Sequence, residues 1–242
     1  MHLTSQRRLD DGVLESTFTL DGVPGLLWTP GPDAPAAPLI LVGHPGGLDR
    51  MRPRLARRAR ASVAAGFTAA ALELPGAGGR DPLPDLDRAR ADLRRALDRG
   101  APVQGIVERL VPALVERAVP ELRAALDALL DLPGVRGPAG YSGGVVSVGL
   151  GLALAEPRIR AALLFAGTRV PRAMLARARE ITIPLQVLLQ WDDGGNDRRA
   201  ALDLFDALGS AEKTLHANTG GHAGVPAFEN EAGNRFFARH LK

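Results

Sequence analysis

A serine, an aspartate and a histidine occur in this sequence in an order that one site for acyl transfer could use. The serine is Ser142, in Gly-Tyr-Ser-Gly-Gly at 140–144, which fits the pattern G-x-S-x-G. A serine hydroxyl is a weak nucleophile at neutral pH and needs a base to take its proton. The pattern predicts a tight strand-to-helix turn that strains the serine backbone, exposes its hydroxyl and places a helix N-terminus behind it.

Ser147 is the competing nucleophile in the same glycine-rich stretch. It lacks the upstream glycine, because Val145 occupies that position. It would also leave the following helix short, whereas a start at Ser142 gives about four turns at 3.6 residues each. The sequence therefore favours Ser142, although Gly137 and Pro138 make the preceding strand poor because proline removes a ladder donor.

His222 is the histidine best placed to act as the base. His2 and His240 lie near the two ends of the sequence, and His216 falls inside the last predicted strand, where packing is the commoner role. His222 follows that strand on a glycine-rich loop, at the edge of the sheet where a base would reach Ser142. We therefore expect His222 to be the general base.

The acid that orients the histidine is expected after the predicted strand 183–191. Asp192 and Asp193 both follow that strand, and adjacent side chains at a strand end point in opposite directions. One of the two should therefore face His222; we choose Asp193 and leave Asp192 open. Asp197 is expected to cap the next helix instead.

The loop after the apolar run 39–43 reads His44-Pro45-Gly46-Gly47 and offers donors for an oxyanion hole. Proline has no N–H group, so the donor must be Gly46 or Gly47. The N–H group of Gly143, directly after the nucleophile, would be the second donor. We expect Gly46 and Gly143 to form the oxyanion hole and His44 to tie down the loop.

The elements that position these residues alternate between strands and helices. An entry hairpin is predicted at 13–20 and 23–30. Further strands are predicted at 39–43, 67–74, up to Tyr141, 159–167, 183–191 and 212–217, and helices near 51–65, 84–131, up to 155, 197–208 and 226–241. Such alternation predicts an α/β fold with a mostly parallel central sheet flanked by helices. The region at about 80–120 is longer than a crossover needs, which leaves a lid and a purely structural helical insertion both open.

Composition restricts the classes of function. The 242 residues fit one domain spanning 1–242, with 45% hydrophobic residues for its core. Aromatic residues make up only 4%, which argues against a base-stacking surface. Cysteine is absent, which excludes disulfides, a thiolate nucleophile and cysteine-based zinc sites.

The arginine-rich run 50–60 could be a phosphate-binding face or the wet side of an amphipathic helix. The net charge is only +3, and no nucleic-acid motif accompanies the run. We expect the run to form the solvent-exposed side of an amphipathic helix, with Leu55, Ala59 and Val63 turned inward. No apolar run approaches membrane-spanning length and no apolar signal region is present, so the sequence predicts a cytoplasmic protein that binds neither nucleic acid nor membrane.

The chain resembles the α/β-hydrolase superfamily, and more narrowly the dienelactone-hydrolase-like serine hydrolases of bacteria. The stretches that carry the resemblance are "LILVGHPGG", "GFTAAALELPGAGGR", "GYSGG", "AEPRIRAALLFAG", "IPLQVLLQWDD" and "GGHAGVPAF". The resemblance implies the α/β-hydrolase fold and hydrolysis of esters, lactones or related acyl bonds through an acyl-enzyme, without metal or organic cofactor. The order Ser142, Asp193, His222 agrees with the chain order of that superfamily.

Three departures from the resembled family bear on these expectations. Dienelactone hydrolases use a cysteine nucleophile, which this chain lacks. Gly143 stands where relatives carry a bulky residue after the nucleophile, and the acid loop does not continue with Val-Pro.

The sequence thus predicts a serine hydrolase that cleaves a small, largely apolar ester, thioester or lactone. An acyltransferase or cyclase would use the same residues with an alcohol or amine in place of water. A non-catalytic binding protein on the same fold is the remaining alternative. The expected partner is a small-molecule substrate; its identity and the oligomeric state are left open.

Overall fold

The computed structural model describes residues 1–32, 34–165 and 169–242. Its strands are β1 (His2–Arg8), β2 (Leu14–Leu20), β3 (Val23–Thr29), β4 (Ala37–Gly43), β5 (Thr68–Leu72), β6 (Val135–Gly143), β7 (Ile159–Phe165), β8 (Leu185–Gln190) and β9 (Lys213–Asn218). Its helices are α1 (Leu48–Ala64), α2 (Pro84–Asp98), α3 (Gln104–Leu130), α4 (Val146–Ala155), α5 (Arg172–Arg177), α6 (Arg198–Ala207) and α7 (Phe228–Leu241), with a 3-10 turn at Ala178–Glu180. None of the helices in these ranges combines the length and hydropathy of a membrane-spanning segment.

The strands form one nine-stranded sheet in the order β1-β2-β3-β5-β4-β6-β7-β8-β9. Pairing is antiparallel from β1 to β3 and between β3 and β5, and parallel from β5 through β4 to β9. The predicted mostly parallel α/β sheet with its entry hairpin is confirmed. Strand β1 was not predicted, because all its residues are exposed and it therefore carries no apolar alternation.

Helices cover both faces of the sheet, and β4 shows how the two faces divide. Leu39 and Leu41 belong to the core cluster that includes residues of α2, α3 and α4. Ile40 and Val42 belong to the cluster that includes residues of α1 and α7. Because successive side chains of a strand point to opposite faces, the sheet buries apolar residues on both sides, as parallel sheets do.

The predicted insertion at about 80–120 corresponds to α2 and the first part of α3. Leu86 and Ala89 of α2 and Leu114 and Leu122 of α3 are buried in the core cluster that also holds residues of β4 and β6. Both helices therefore pack on the body of the domain. A lid role for this region stays a prediction.

Two predicted boundaries differ from the structure near the site. Strand β6 continues past Tyr141 to Gly143, and its pairing with β4 survives Pro138 through a shift in register. The predicted strand 159–167 is β7 as far as Phe165, and its last two positions lie outside the described residues.

The core packing of α3 gives a direct test of the fold. Leu126 is fully buried, whereas Leu97 on α2 is 42% exposed. Leu126→Ala should lower the free energy of unfolding by about 2–5 kcal/mol, because it removes buried methyl groups and leaves a cavity. Leu97→Ala should change it by less than about 0.5 kcal/mol. Urea unfolding followed by circular dichroism measures both; equal losses would contradict this packing.

The carboxylate of Glu156, at the end of α4, predicts a pH dependence of stability. It is buried and accepts hydrogen bonds from Arg158 Nε and Nη2 at 2.8 and 2.7 Å. These bonds hold its pKa at about 2, below the ordinary value of 4.5. A carboxyl with a lowered pKa stabilises the fold above its ordinary pKa and ceases to do so as the pH falls through the lowered value. The stability difference between the native protein and Glu156→Gln should therefore shrink between pH 4.5 and about 2; a constant difference would contradict it.

Candidate active site

Ser142 lies one residue before the end of β6, between two parallel neighbours. It is in register with Val42 of β4 and Leu163 of β7. Both of those side chains belong to the core cluster on the α1 and α7 face of the sheet. The Ser142 side chain therefore lies on that face, at the carboxyl end of the central strands, where open α/β sheets bind ligands.

The expected strained backbone at Ser142 is wrong, because the left-handed conformation falls on the next residue. Gly143 has φ +126°, and apart from glycines only Asp21 has positive φ in the described part of the chain. A Cβ atom at Gly143 would lie 2.7 Å from the carbonyl oxygen of Gly43. Strand pairing thus keeps Ser142 extended, and the turn into α4 begins after it.

The hydroxyl of Ser142 is bound by Arg58 of α1. Arg58 Nη2 donates to Ser142 Oγ at 3.0 Å and to the Ser142 carbonyl oxygen at 2.9 Å. Arg58 Nη1 lies 3.4 Å from the carbonyl oxygen of Gly43 on β4. Among the residues that the structure describes, no hydrogen bond joins Ser142 to His222. The nucleophile candidate is therefore held by a guanidinium in this conformation.

A cavity of about 90 Å³ opens beside Ser142. Its polar lining includes Arg54, Arg57, Arg58, Ser62, Glu229, Asn230 and Asn234, and its apolar lining includes Leu163, Phe165, Leu188, Val225 and Phe237. Ala223, directly after His222, also lines it. The His222 ring contacts the Phe165 ring, with centroids 5.7 Å apart. Phe165 thus connects the surroundings of Ser142 with those of His222.

Asp193 and His222 form a hydrogen-bonded pair. His222 Nδ1 lies 2.7 Å from Asp193 Oδ2, and the carboxylate also accepts from Gly195 N at 2.8 Å and from Asn196 Nδ2 at 2.5 Å. Burial favours the neutral acid, but these donors outweigh it and lower the pKa of Asp193. The ionised carboxylate therefore accepts the Nδ1 proton, which leaves Nε2 of neutral His222 free to accept another.

Asp192 binds the backbone of the loop that carries the histidine, whereas Asp193 binds the histidine itself. Its carboxylate accepts from Gly220 N at 3.0 Å and from Gly221 N at 2.9 Å, and these N–H groups lower its pKa. Gln190 Nε2 donates to Gly221 O at 2.8 Å from the preceding strand. The structure thus brings Asp193 to His222 and uses Asp192 to hold the loop that carries it.

The predicted oxyanion loop has its N–H groups bound to side chains in this conformation. Gly46 and Gly47 both have positive φ, at +101° and +75°. Gly46 N donates to His44 Nδ1 at 3.1 Å, and Gly47 N and Leu48 N donate to Glu73 at 2.9 and 2.6 Å. The other ring nitrogen of His44 donates to the backbone, and burial lowers the pKa of this histidine.

Glu73 is a residue that the sequence reasoning missed. It is buried directly after β5. Its carboxylate accepts hydrogen bonds from Gly47 N in the glycine loop and from Leu48 N at the N-terminus of α1, and so holds both in place. An acidic residue within an otherwise apolar strand end was the available signal, because buried carboxylates need fixed donors.

The other candidates of the sequence have structural places. Ser147 is buried in α4, with its hydroxyl 3.4 Å from Arg169 O. His216 lies on β9, and its Nδ1 is 2.8 Å from the carboxylate of Glu229 on α7. Asp197 caps α6 and accepts from two backbone N–H groups of its first turn, as predicted.

The arginines of α1 were only partly predicted. Leu55, Ala59 and Val63 are buried, as expected. Arg54 and Arg58, however, line the cavity beside Ser142 and do not belong to a fully solvated side. Their spacing of four residues, next to the buried stripe, was the signal in the sequence.

Comparison with solved structures places this fold among hydrolases, whereas no family model and no curated protein matches the sequence. A cold-adapted esterase from an Arctic intertidal metagenomic library is 30% identical, covers 100% of both chains and has a TM-score of 0.78. Acetyl xylan esterase 1 from Thermoanaerobacterium is 13% identical over 98% of this chain and 87% of its own, with TM-score 0.64. The dienelactone hydrolase from Anabaena variabilis is 17% identical over 98% and 99%, with TM-score 0.61.

The mostly parallel sheet and the candidate site at its strand ends define the class of protein, an α/β fold shared with these hydrolases. The two more distant structures share the fold. The full-length identity with the cold-adapted esterase shows more, namely that this chain belongs to the α/β-hydrolase superfamily.

The contrast between the two adjacent aspartates can be tested by substitution. Asp193→Asn should lower kcat/KM for p-nitrophenyl acetate on the order of 10⁴-fold, because the amide no longer fixes the Nδ1–H tautomer of His222. Asp192→Asn should cost less than about 10-fold, because the amide oxygen still accepts from the loop. Steady-state kinetics at pH 8 measures both, and a larger loss from Asp192→Asn would contradict the assignment.

Proposed function

We propose that Ser142, His222 and Asp193 carry out covalent ester hydrolysis as nucleophile, general base and orienting acid. That the protein is an ester-cleaving serine hydrolase follows from its superfamily and its esterase relative. The observation that carries the residue assignment is the His222–Asp193 pair at 2.7 Å, on the loop next to the cavity that contains Ser142.

The reaction follows from the donors and acceptors at this edge. Ser142 Oγ attacks the carbonyl carbon of the ester while its proton passes to His222 Nε2. Ionised Asp193 stabilises the imidazolium that forms. The proton then goes to the leaving alcohol oxygen, and the acyl group stays on Ser142. Water activated by His222 releases the acid and restores the serine.

The conformation described here precedes that reaction. Arg58 donates to Ser142 Oγ, so the serine keeps its own proton for transfer. A rotation about the Ser142 Cα–Cβ bond is the simplest movement that directs this hydroxyl towards His222. Gly46 N–H must likewise leave His44 Nδ1 if it is to join Gly143 N–H at the oxyanion.

The cavity supports a small substrate. Its volume of about 90 Å³ suits a short acyl group, and its apolar residues, among them Leu163 and Phe165, provide contacts for carbon chains. We therefore propose a small ester, thioester or lactone.

The surface charges support a small-molecule partner over nucleic acid. Arg52 pairs with Glu15 at 2.7 Å and Arg60 with Asp11 at 2.6 Å. Arg54 and Arg58 line the cavity. Two arginines of the run on α1 are thus neutralised by acidic side chains and others face the cavity, which favours a small-molecule partner over a phosphate backbone.

Labelling with a fluorophosphonate tests the proposed nucleophile. The probe should phosphonylate Ser142, located by peptide mass spectrometry, because only an activated serine hydroxyl reacts. Labelling should disappear in Ser142→Ala and fall at least about 100-fold in rate in His222→Ala.

Ser147→Ala is the matched control, since that serine is buried in α4. It should label at the native rate. A label on Ser147, or native labelling in Ser142→Ala, would refute the assignment of the nucleophile.

A further inference from the structure

Arg58 occupies an unusual place for a cation. Its side chain is half-buried at the ends of β4 and β6, and its guanidinium binds two carbonyl oxygens and the hydroxyl of Ser142. No carboxylate pairs with it among the residues that the structure describes. Burial, together with repulsion by Arg54 and Arg57, lowers its pKa to about 10. The fold therefore keeps an incompletely neutralised cation directly beside the nucleophile.

The carbonyl contacts alone do not require a cation. Fixing the ends of two strands needs only hydrogen-bond donors, which a neutral side chain could supply without burying charge. The additional contact, 3.0 Å to Ser142 Oγ, is with the attacking atom, which gains negative charge as its proton leaves. A positive charge there stabilises the transition state more than the resting state.

The glycine loop at Gly46 and Gly47 also indicates that another group must stabilise the negative charge of the transition state. Gly46 N–H and Gly47 N–H are bound to His44 and Glu73. Unless those bonds open, the loop offers neither of them to a developing oxyanion. Arg58 Nη2 is already within hydrogen-bond distance of Ser142 Oγ, the atom that bonds to the carbonyl carbon of the ester in the proposed reaction.

We propose that Arg58 is a catalytic residue whose guanidinium stabilises the negative charge that develops on Ser142 Oγ and on the attacked carbonyl oxygen. The inference rests on the proposed function, because it requires Ser142 as nucleophile. A bond forms between Oγ and the carbonyl carbon, the π electrons of the carbonyl move to its oxygen, and the serine proton goes to His222. Arg58 stays protonated throughout and donates first to Oγ, then to the oxyanion.

The test compares Arg58→Ala, Arg58→Lys and the control Arg60→Ala. Arg60 lies on the same helix but pairs with Asp11 at the surface, outside the cavity. Arg58→Ala should lose at least about 100-fold in kcat for p-nitrophenyl acetate with KM changed less than about threefold, because the lost contact acts in the transition state. Arg58→Lys should retain at least about 10-fold more activity than Arg58→Ala, because it keeps the charge. Arg60→Ala should remain within about threefold of the native protein.

Added guanidinium separates charge stabilisation from a merely structural role. At non-denaturing millimolar concentrations the free ion should raise the activity of Arg58→Ala at least about fivefold by entering the vacated space, and should leave Arg60→Ala unchanged. Circular dichroism and thermal unfolding of each variant establish that it is folded. If Arg58→Ala proves unfolded, Arg58→Met takes its place. The proposal then requires that kcat of Arg58→Lys exceed kcat of Arg58→Met at least about 10-fold.

The outcomes separate this inference from the proposed function. If the native protein labels at Ser142 and folded Arg58→Ala or Arg58→Met keeps kcat within about threefold, only the role of Arg58 is overturned. If Arg58→Ala and Arg58→Lys lose kcat equally and guanidinium restores neither, the catalytic role is overturned and Arg58 only holds the two strand ends. If the native protein neither labels nor hydrolyses esters, the proposed function fails and this inference with it.

Discussion

The parallel pairing of β4 with β6 brings the two halves of the candidate site to one edge. Gly43 and Gly143 face each other at the end of this pair, and a side chain at Gly143 would collide with the Gly43 carbonyl oxygen. Close approach of the two backbones sets Ser142 beside the loop that begins at His44. Arg58 binds carbonyl oxygens of both strands and so reaches the serine from α1. The positions of the nucleophile, the glycine loop and the guanidinium all depend on this one contact between strands.

Charge is distributed around Ser142 in two separate groups. The Asp193 carboxylate lies behind His222 and favours a positive imidazole during proton transfer. Arg54, Arg57 and Arg58 lie on α1 and favour negative charge at the reacting atoms. The arginine group lines the cavity, whereas the His222 side chain is 59% exposed, so solvent screens the two groups unequally. Such separation suits a reaction in which a proton and an electron pair move in opposite directions.

Much of this arrangement could be predicted from the sequence because the informative signals are local. Apolar runs such as 39–43 predict buried strands. A residue that follows a parallel strand lies at the ligand-binding edge of the sheet, whatever the position of the strand in the sheet. This reasoning located Ser142, Asp193 and His222 on strand ends and chose the aspartate that contacts the histidine. Strand β1 was missed because it buries nothing.

The features that the sequence did not yield depend on tertiary pairing. The length of β6 is set by its neighbours, which hold Ser142 extended and shift the left-handed residue to Gly143. The inward direction of Arg58 depends on how α1 is rotated against the sheet, and an apolar stripe about 100° wide does not fix this rotation.

The most direct measurement is a crystal structure of the protein after reaction with a small phosphonate ester. We predict a bond from Ser142 Oγ to phosphorus, a phosphoryl oxygen within hydrogen-bond distance of the Arg58 guanidinium, and His222 Nε2 facing the leaving-group side. Phosphorus on another residue would contradict the site. A phosphoryl oxygen bound only by backbone N–H groups, with Arg58 still on the strand carbonyls, would contradict the role given to the guanidinium.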